Sequence, residues 1–455
     1  MADTYDLIVI GGGPAGYLAA ERASEAGLST VLFEKRALGG VCLNEGCIPT
    51  KTFLNSAKIY AHALHGGPYG VRADGLKLDH AEVLKRKGDV VAQLVGGVTY
   101  TLKEKKVVVV EAEAKIEGKT DGGFSVSGGN VEAVAPKLII AAGSKPVVPP
   151  IPGIAEGHEA GYVYTSREML DIDHVPGSLV IVGGGVIGLE MADYFAVAGS
   201  KVTVVEMLDK IAGPFDREIS QILRKNLEAK GVSFLLGAKV TAASRDGVKA
   251  EVNGETVDVQ GEAILLSIGR RPAPEGLSLE KIGVLVENGA VVTGTHMQTN
   301  VPGVYAAGDI NGKIMLAHTA YREAEVAVNH IIGKPDEIKY DAIPSVIYTQ
   351  PEAAYVGETE ETAAAKGLSV TVKKLPMAYS GRYVAENDGG DGICKTLIDE
   401  SAGRVVGVSV IGGYASEIIL SAGALVGLGI PLESAKRMVF PHPTVGEIIR
   451  ETLFS

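Results

Sequence analysis

The chain has 455 residues and a formal net charge of −12, from 43 Lys and Arg against 55 Asp and Glu. At roughly 100–200 residues per domain, this length predicts two to four domains and excludes a single small binding module, while the acidic balance disfavours nucleic acid as a partner. Three cysteines are too few for a fold built on disulfides, so any cysteine pair is expected to be chemical rather than architectural.

The N-terminal segment lacks the features of a secretory signal. Asp3 and Asp6 stand where such a signal carries positive charge, and the apolar run beside them is short. We therefore expect a cytoplasmic protein, because no export signal is visible. In the cytoplasm, disulfides are usually transient and catalytic.

The first predicted unit is a strand, a glycine-rich turn, a helix and a second strand within residues 5–34. Its turn has the pattern Gly11-x-Gly13-x-x-Gly16, and its second strand ends at Glu34. The first glycine allows a tight turn, the second lets the backbone approach a pyrophosphate at the helix N-terminus, and the third lets helix and strand pack closely. A terminal carboxylate can accept hydrogen bonds from a ribose diol. The unit therefore predicts a dinucleotide site.

Two cysteines follow in the segment GGVCLNEGCIPTK, residues 39–51. Cys42 and Cys47 are four residues apart, and Pro49 places Cys47 near the start of a helix, where backbone amides and the helix dipole stabilise a thiolate. The spacing alone leaves a redox disulfide, two free cysteines and metal ligation open. No further Cys or His pair completes a zinc site, so no metal is expected. Cys394 is expected to be a small core residue on a strand.

A second copy of the unit lies in the middle of the chain. Gly183-x-Gly185-x-x-Gly188 follows a strand, and the strand after the helix ends at Glu206. The first glycine and the acid are 23 residues apart in both copies, which is a much stronger indication of nucleotide sites than one glycine turn. Glu206 accepts the 2′-hydroxyl of NAD but repels a 2′-phosphate, and no arginine stands at 207–209, so NAD is favoured over NADP.

Segments rich in proline and glycine bound the second copy at 146–153 and 269–276. The part of the chain from about residue 344 mixes strand-like runs with helical patterns, which favours an α+β domain. The predicted fold class is α/β, with two Rossmann-like dinucleotide-binding domains and a C-terminal α+β domain. The predicted segments, the second inserted into the domain that the first begins, are 1–148, 149–270, 271–343 and 344–455.

The C-terminal segment contains an apolar run and a candidate acid–base pair. Residues 418–432 are shorter than the about 20 residues that span a bilayer, so we expect a buried helix that ends near Pro431, and no membrane partner. His442 and Glu447 are five residues apart, and Pro443 is suited to a first helical turn that could bring the carboxylate under the imidazole. A histidine with such a partner can act as a general base, although a lone histidine is more often structural.

Residues 39–51 closely resemble the active-site segment of the flavin-dependent pyridine nucleotide-disulfide oxidoreductases, and the likeness runs from about residue 5 to the C-terminus. The resemblance implies that the first glycine pattern binds FAD and the second binds NAD. It also implies that Cys42 exchanges with substrate sulfur and that Cys47 lies nearer the flavin. Lys51 would be a cation beside the flavin ring, paired with Glu190; without the family, both would be interpreted as solvated charges.

The resemblance implies further cofactor contacts. Thr299 to Asp309 form an apolar strand ending in Gly-Asp, which lets a carboxylate meet a ribityl hydroxyl. Val240 and Gly269 are implied neighbours of the adenine and nicotinamide ends of NAD. The implied FAD contacts are Ala114, Ala142, Gly143, Ser144, Asp309, Met315, Leu316, Ala317 and His318.

The cysteine segment looks most like that of the family members that oxidise dihydrolipoyl groups with NAD. In these enzymes the base comes from the partner subunit, which implies a homodimer formed through a C-terminal dimerisation domain. His442, held by Glu447, would deprotonate a dihydrolipoyl thiol, and the thiolate would attack Cys42 of the disulfide. The substrate would be a lipoyl group on another protein. The chain would then be the reoxidising component of a 2-oxoacid, acetoin or glycine-cleavage complex, with a core subunit as a further partner.

Two positions depart from the family pattern. Ala142 stands where the family usually has threonine, which removes one hydroxyl contact but not flavin binding. Phe440 occupies the position of the first histidine in the usual His-x-His motif, while His442 is retained. The second departure changes the proton environment and the substrate fit around the base.

Two alternatives stay open. A related flavin disulfide reductase would keep the chemistry but use glutathione disulfide or mercuric ion. Glu206 argues against the NADP preference of the first, and no cysteine follows Cys394 to supply the additional pair of the second. A structural subunit could dock through its acidic surface, but the presence of both cysteines and the His442–Glu447 pair argues against a purely structural role.

Overall fold

The computed structural model describes residues 2–455. The chain forms two compact units. The first unit comprises the described residues up to Thr52, Lys85–Val147 and Gly269–Ile338. The second comprises Phe53–Leu84, Val148–Ile268 and Lys339–Ser455.

The strands and helices of the described residues are numbered in chain order. The strands are β1 (Asp3–Thr4), β2 (Leu7–Ile10), β3 (Thr30–Glu34), β4 (Val108–Glu111), β5 (Lys115–Thr120), β6 (Gly123–Gly128), β7 (Val131–Ala135), β8 (Lys137–Ile140), β9 (Ser144–Pro146), β10 (Val163–Tyr164), β11 (Ser178–Val182), β12 (Lys201–Glu206), β13 (Ser233–Leu236), β14 (Ala238–Ser244), β15 (Gly247–Val252), β16 (Glu255–Gln260), β17 (Ala263–Leu266), β18 (Arg270–Pro272), β19 (Val286–Glu287), β20 (Ala290–Val291), β21 (Val304–Ala306), β22 (Ser345–Ile347), β23 (Glu352–Gly357), β24 (Val370–Pro376), β25 (Ile393–Asp399) and β26 (Arg404–Gly412). The helices are α1 (Pro14–Glu25), α2 (Gly40–Glu45), α3 (Cys47–Leu64), α4 (His80–Glu104), α5 (Ile154–Glu159), α6 (Ser166–Met169), α7 (Val186–Ala198), α8 (Arg217–Ala229), α9 (Ala317–Ile331), α10 (Glu360–Ala365), α11 (Gly381–Glu386), α12 (Ala415–Gly427), α13 (Leu432–Ala435) and α14 (Glu447–Phe454).

The first unit is built on a parallel sheet with the strand order β21-β8-β2-β3-β4. Its central strands are continuous apolar runs, as expected for parallel strands buried on both faces. A smaller sheet, β1-β7-β6-β5, packs its apolar side chains into the same core. The antiparallel pair β9–β18 brings residues 144–146 against residues 270–272.

The second unit contains a parallel sheet in the order β10-β17-β11-β12-β13 and an antiparallel sheet, β14-β15-β16. Its C-terminal part is an antiparallel sheet, β22-β23-β26-β25-β24, covered by α12 and α14. The predicted fold class is confirmed. Each glycine pattern lies at the end of a strand of a parallel sheet, and the C-terminal part of the chain is α+β.

The apolar run from residue 418 lies in a helix, as predicted, but the helix ends before Pro431 and only one of its faces is buried. Helix α12 ends at Gly427, and its 3.6-residue period places Ile419, Ala422 and Leu425 against the sheet while Leu420 is 74% exposed. No helix within residues 2–455 is long and apolar enough to cross a membrane.

Cys394 lies in β25 and is fully buried, as predicted. Burial raises the pKa of its thiol to about 12, so it stays protonated at neutral pH. A buried neutral thiol of this kind is a packing residue.

Candidate active site

The first glycine pattern forms the turn from β2 into α1. Gly11 has φ +102°, and a Cβ there would lie 2.3 Å from the carbonyl oxygen of Ala141. A Cβ at Gly16 would lie 1.7 Å from the carbonyl oxygen of Gly11, so helix and turn are in direct backbone contact. At Gly13 the nearest atom to a Cβ would be Gly40 Cα at 3.8 Å, and α1 begins there without a side-chain cap. Its N-terminal amides are thus open to a phosphate.

The second pattern repeats this construction between β11 and α7. Gly183 has φ +107°, and a Cβ there would lie 2.6 Å from the carbonyl oxygen of Ser267. A Cβ at Gly188 would lie 2.2 Å from the carbonyl oxygen of Gly183. A Cβ at Gly185 would have no neighbour within 4 Å, and the N-terminus of α7 has no side-chain cap. Both turns therefore fit a pyrophosphate in the same way.

The two acids also have matching hydrogen bonds. Glu34 Oε2 accepts a hydrogen bond of 2.6 Å from the backbone N–H of Gly12, and Glu206 Oε2 accepts one of 2.6 Å from Gly184. In each case the other oxygen accepts from the N–H two residues after the acid. Gly12 and Gly184, which donate these bonds, were not singled out from the sequence. Each carboxylate keeps lone pairs for the two hydroxyls of a ribose.

A cavity of about 510 Å³ lies beside Glu34 in the first unit. Residues of β4 form part of its wall, and Arg36, Lys103 and Lys106 contribute cationic side chains. This volume is within the range of small-molecule sites. The cavity thus adjoins the carboxylate that the resemblance assigns to the ribose of FAD.

Ser144, Arg270 and Asp309 form a hydrogen-bonded group in the first unit. Ser144 Oγ donates to Asp309 Oδ2 at 2.5 Å, and Arg270 Nε donates to Ser144 Oγ at 2.8 Å. Burial lowers the pKa of Arg270, and the negative charge of Asp309 opposes that shift. Arg270 was missed in the sequence, where its only signal is its position directly after Gly269. The fully buried Glu323 accepts a 2.6 Å hydrogen bond from the N–H of Gly308 and so holds the loop that presents Asp309.

The other predicted cofactor contacts differ in how buried they are. The side chains of Ala114 and Val240 are buried in the cores of their units. Helix α9 starts directly after Leu316 without a side-chain cap, which leaves amides open at its N-terminus. The remaining contacts in the first unit are partly buried or exposed: Ala142, Gly143, Gly269, Met315, Ala317 and His318.

The two cysteines lie on successive helices of the first unit. Helix α3 begins at Cys47, as predicted, whereas the short helix α2 around Cys42 was not predicted. Arg36 ties α2 to the end of β3 through a bidentate pair with Glu45, at 3.0 and 2.7 Å. No disulfide joins Cys42 and Cys47 in the structure. The hydrogen bond with Cys47 and then burial raise the pKa of Cys42, and the charge of Lys51 acts against this rise.

Glu190 is 2% exposed, so the interpretation of this residue as a solvated charge was wrong. Its Oε1 accepts a hydrogen bond of 3.0 Å from the backbone N–H of Tyr348, within the second unit. Lys51 belongs to the first unit, and its pairing with Glu190 stays a prediction. Along residues 2–455, no group of three or more His, Cys, Asp or Glu side chains is arranged to hold a metal ion.

His442 and Glu447 meet in the second unit. His442 Nδ1 donates to Glu447 Oε1 at 2.9 Å, because an ionised carboxylate can only accept. The ring nitrogen Nε2 then remains available to take a proton. The N–H of Thr444 donates to Glu447 Oε2 at 2.9 Å, and this bond, followed by that of His442, lowers the pKa of Glu447. His442 itself is 77% exposed.

The expected position of Pro443 was wrong. Helix α14 begins only at Glu447, so Pro443 lies in the preceding loop rather than in a first helical turn. The loop is fixed instead by Ser380 and Thr444, since Ser380 Oγ donates to the carbonyl of Thr444 at 3.1 Å. The imidazole therefore reaches the carboxylate across a turn.

Comparisons with known proteins agree with this geometry. Residues 5–324 match the model of the pyridine nucleotide-disulphide oxidoreductases, and residues 343–453 match the dimerisation domain of the same enzymes. The chain is 38% identical to a dihydrolipoyl dehydrogenase of Mycoplasma pneumoniae, with 98% of this chain and 97% of the relative covered. It is also 38% identical to a dihydrolipoyl dehydrogenase of Bacillus subtilis, with 99% and 98% covered.

Solved structures show the same likeness. LpdA from Mycobacterium tuberculosis has a TM-score of 0.89 and 26% identity, with 99% of each chain covered. The HOCl-induced flavoprotein disulfide reductase RclA from Escherichia coli has a TM-score of 0.85 and 28% identity, again with 99% of each chain covered. The similarity thus includes both units.

Proposed function

Because this chain belongs to the pyridine nucleotide-disulphide oxidoreductase family, we propose that it oxidises protein-bound dihydrolipoyl groups to lipoyl groups with NAD as acceptor. The proposal rests above all on the placement of Cys42 and Cys47, on successive helices next to a turn that fits FAD. The relatives named dihydrolipoyl dehydrogenase supply the substrate class. The second turn and Glu206 fit NAD.

The sulfur chemistry consists of two exchanges. His442 Nε2 takes the proton of one substrate thiol, and the resulting thiolate attacks Cys42 Sγ of the disulfide, which breaks the Cys42–Cys47 bond and leaves the electron pair on Cys47. The second substrate thiol attacks the substrate sulfur of the mixed disulfide, and its proton passes to Cys42 Sγ. The lipoyl S–S bond forms as the bond between Cys42 and the substrate breaks, which leaves Cys42 as a thiol and Cys47 as a thiolate. When bound, FAD would supply the two-electron redox chemistry that returns Cys42 and Cys47 to the disulfide and reduces NAD.

The residues of the first unit have separate tasks in holding FAD. Glu34 is placed for the ribose diol, the open N-terminus of α1 for the pyrophosphate, and the Ser144–Asp309 pair for ribityl hydroxyls. Lys51 places a positive charge beside the reacting sulfurs, which favours their thiolate forms.

We further propose a homodimer in which His442 acts in the active site of the partner subunit. The match of residues 343–453 to a dimerisation domain supports this arrangement. The C-terminal part also has exposed apolar side chains, including Leu420, Leu428 and the 95% exposed Val439, close in sequence to the exposed His442. A partner covering this surface would bury it. The lipoyl-bearing protein and a complex core subunit are the further proposed partners, in the cytoplasm.

Substrate comparison tests the proposed function. Purified holoenzyme is given dihydrolipoamide with NAD, and in separate assays NADH with lipoamide, glutathione disulfide or mercuric ion. We expect NADH formation from dihydrolipoamide. In the assays with NADH, we expect kcat/KM for lipoamide to be at least about a hundredfold above that for glutathione disulfide. Faster turnover of glutathione disulfide or mercuric ion would instead identify a related flavin disulfide reductase.

A substitution in the first turn should abolish FAD binding. In Gly16→Ala the new Cβ would collide with the carbonyl of Gly11 and displace the turn from the helix N-terminus. We expect less than about a tenth of the wild-type flavin content, because the amides that meet the pyrophosphate lose their positions. The ratio of flavin to protein absorbance after purification measures this. Gly88→Ala is the matched control, since a Cβ at that helical position meets no atom within 4 Å; full flavin content in Gly16→Ala would contradict the assigned role.

The choice between NAD and NADP should depend on Glu206. Glu206→Ala removes both the acceptor for the 2′-hydroxyl and the repulsion of a 2′-phosphate. We expect the ratio of kcat/KM for NADP to that for NAD to rise at least about tenfold. Glu251→Ala, on an exposed position of β15, serves as the control. An unchanged ratio in Glu206→Ala would place the ribose elsewhere.

A further inference from the structure

Two tyrosines that the predicted site does not include are joined where α1 and α9 meet. The hydroxyl groups of Tyr17, in α1, and Tyr321, in α9, are directly hydrogen bonded. Their rings meet edge to face, with centroids 5.9 Å apart and an interplanar angle of 62°. Tyr17 is 9% exposed, and Tyr321 is half-buried. The pair is therefore a fixed aromatic surface with one partly accessible ring.

Close backbone contact brings α2, the helix that carries Cys42, against α1. A Cβ at Gly40, the first residue of α2, would lie 2.6 Å from Gly13 Cα at the start of α1. Cys42 follows Gly40 by two residues, and Tyr17 follows Gly13 by four, about one helical turn. The first turns of the two helices thus place Cys42 and Tyr17 in the same region.

A second close contact brings α9 to that region. A Cβ at Gly308 would lie 3.2 Å from Ala15 Cβ in α1 and 3.4 Å from Ala320 Cβ in α9. Tyr321 directly follows Ala320, so it lies at the convergence of the two helices. The loop that holds Asp309 and the tyrosine pair are therefore neighbours.

Electrostatic effects also relate the phenols to the sulfurs. Burial is the main cause of the raised pKa of both Tyr17 and Tyr321, and the charges of Cys42 and then Cys47 raise it further. Both phenols keep their protons at neutral pH. The surface that the pair presents beside Cys42 is consequently aromatic and uncharged.

We propose that Tyr17 and Tyr321 form one wall of the path by which substrate sulfur reaches Cys42, and that this wall selects a slender, uncharged alkyl dithiol. An alkyl chain packs well against ring carbons. A charged or branched peptide disulfide would lose hydration against this half-buried surface of neutral phenols, which carries no charge of its own. Tyr321, the more accessible ring, is the specificity-determining residue. The inference rests on the proposed function, because it assigns this wall to the dihydrolipoyl substrate.

Thiol labelling measures access to Cys42 past the two tyrosines and does not depend on catalytic activity. The FAD-loaded protein is reduced anaerobically with dithiothreitol, freed of reductant, and labelled with N-ethylmaleimide or with bulky fluorescein maleimide; peptide mapping isolates the reaction at Cys42. We expect the rate ratio of small to bulky reagent to fall about tenfold in Tyr321→Ala, because removal of the ring opens the path. Tyr321→Phe retains the ring and should retain most of the discrimination. Tyr305→Phe, which removes a buried hydroxyl bonded to His330, should leave the ratio unchanged.

Steady-state kinetics provide the second measurement. In Tyr321→Ala we expect the KM for dihydrolipoamide to rise about tenfold while kcat stays within about threefold, since the wall holds substrate but does not react. Tyr321→Leu leaves a smaller space than Tyr321→Ala and so disturbs the packing less. It should change the labelling ratio and the KM in the same directions as Tyr321→Ala, by smaller factors.

The results separate this inference from the proposed function. If both Tyr321→Ala and Tyr321→Leu keep the wild-type ratio of small-reagent to bulky-reagent labelling rates and the wild-type KM, the proposed wall is wrong. This holds even if the wild-type enzyme oxidises dihydrolipoamide rapidly. A changed labelling ratio in a protein that does not oxidise dihydrolipoamide would support the wall and overturn the substrate assignment.

Discussion

Cys42→Ser should lower dihydrolipoamide oxidation by at least about a thousandfold, because serine cannot form the mixed disulfide that both exchanges require. Neither Cys47 nor Cys394 can replace it: Cys47 begins the next helix, and Cys394 is buried in β25 with a raised pKa. We expect flavin content and thermal stability to change little, since Cys42 is not fully buried. Anaerobic assay of NADH formation, with flavin absorbance measured on the same sample, checks both expectations.

Cys394→Ser is the matched control because it makes the same chemical change at a sulfur outside the site. The new hydroxyl can use the Thr396 and Thr452 side chains, which already interact with the thiol. We expect wild-type kcat, with a free energy of unfolding lower by about 1–2 kcal/mol. Full activity in Cys42→Ser, or a loss in Cys394→Ser equal to that in Cys42→Ser, would contradict the assigned sulfur chemistry.

The parts of the site that could be predicted are those governed by local sterics. Gly11 is required at the turn because its φ is +102°, and Gly16 is required because a Cβ there would collide with the carbonyl of Gly11, five residues earlier. The helix start at Cys47 follows from Pro49 two residues later, which is suited to a first turn. Such constraints are contained within a strand–turn–helix unit, and the sequence therefore indicates them clearly.

The parts that were missed depend on residues distant in the chain. Arg270 meets Ser144 across 126 residues, and Tyr17 meets Tyr321 across 304. Glu190 is buried with the apolar helix α7, but its hydrogen-bond donor, the N–H of Tyr348, lies 158 residues away in the chain. An isolated charge or tyrosine in the sequence carries no signal of such a partner. Only the assembled sheets and helices bring these side chains together.

Replacing the proposed base should also have a large effect. His442→Gln leaves no group that takes the substrate proton, and we expect kcat for dihydrolipoamide oxidation to fall by about 10²–10⁴-fold. The exposed position of His442 in the second unit means that flavin content should stay at the wild-type value. Turnover measured across pH checks the role, since the remaining activity should rise with pH as more substrate thiolate forms without a base. A wild-type rate at neutral pH would remove His442 from the mechanism.

Glu447→Gln should have a smaller effect of the same kind. Its carboxylate fixes the proton on Nδ1 of His442, whereas an amide can turn its NH₂ to that nitrogen and place the proton on Nε2, where it blocks proton uptake. We expect kcat to fall about tenfold with KM nearly unchanged, because Glu447 positions the base and does not touch substrate. The lowered pKa of Glu447 keeps it ionised at neutral pH; its hold on the loop is present above its ordinary pKa and is lost as pH falls through the lowered value. Glu400→Gln, an exposed acid in the same unit, should leave kcat unchanged, and an equal loss in both variants would contradict a positioning role.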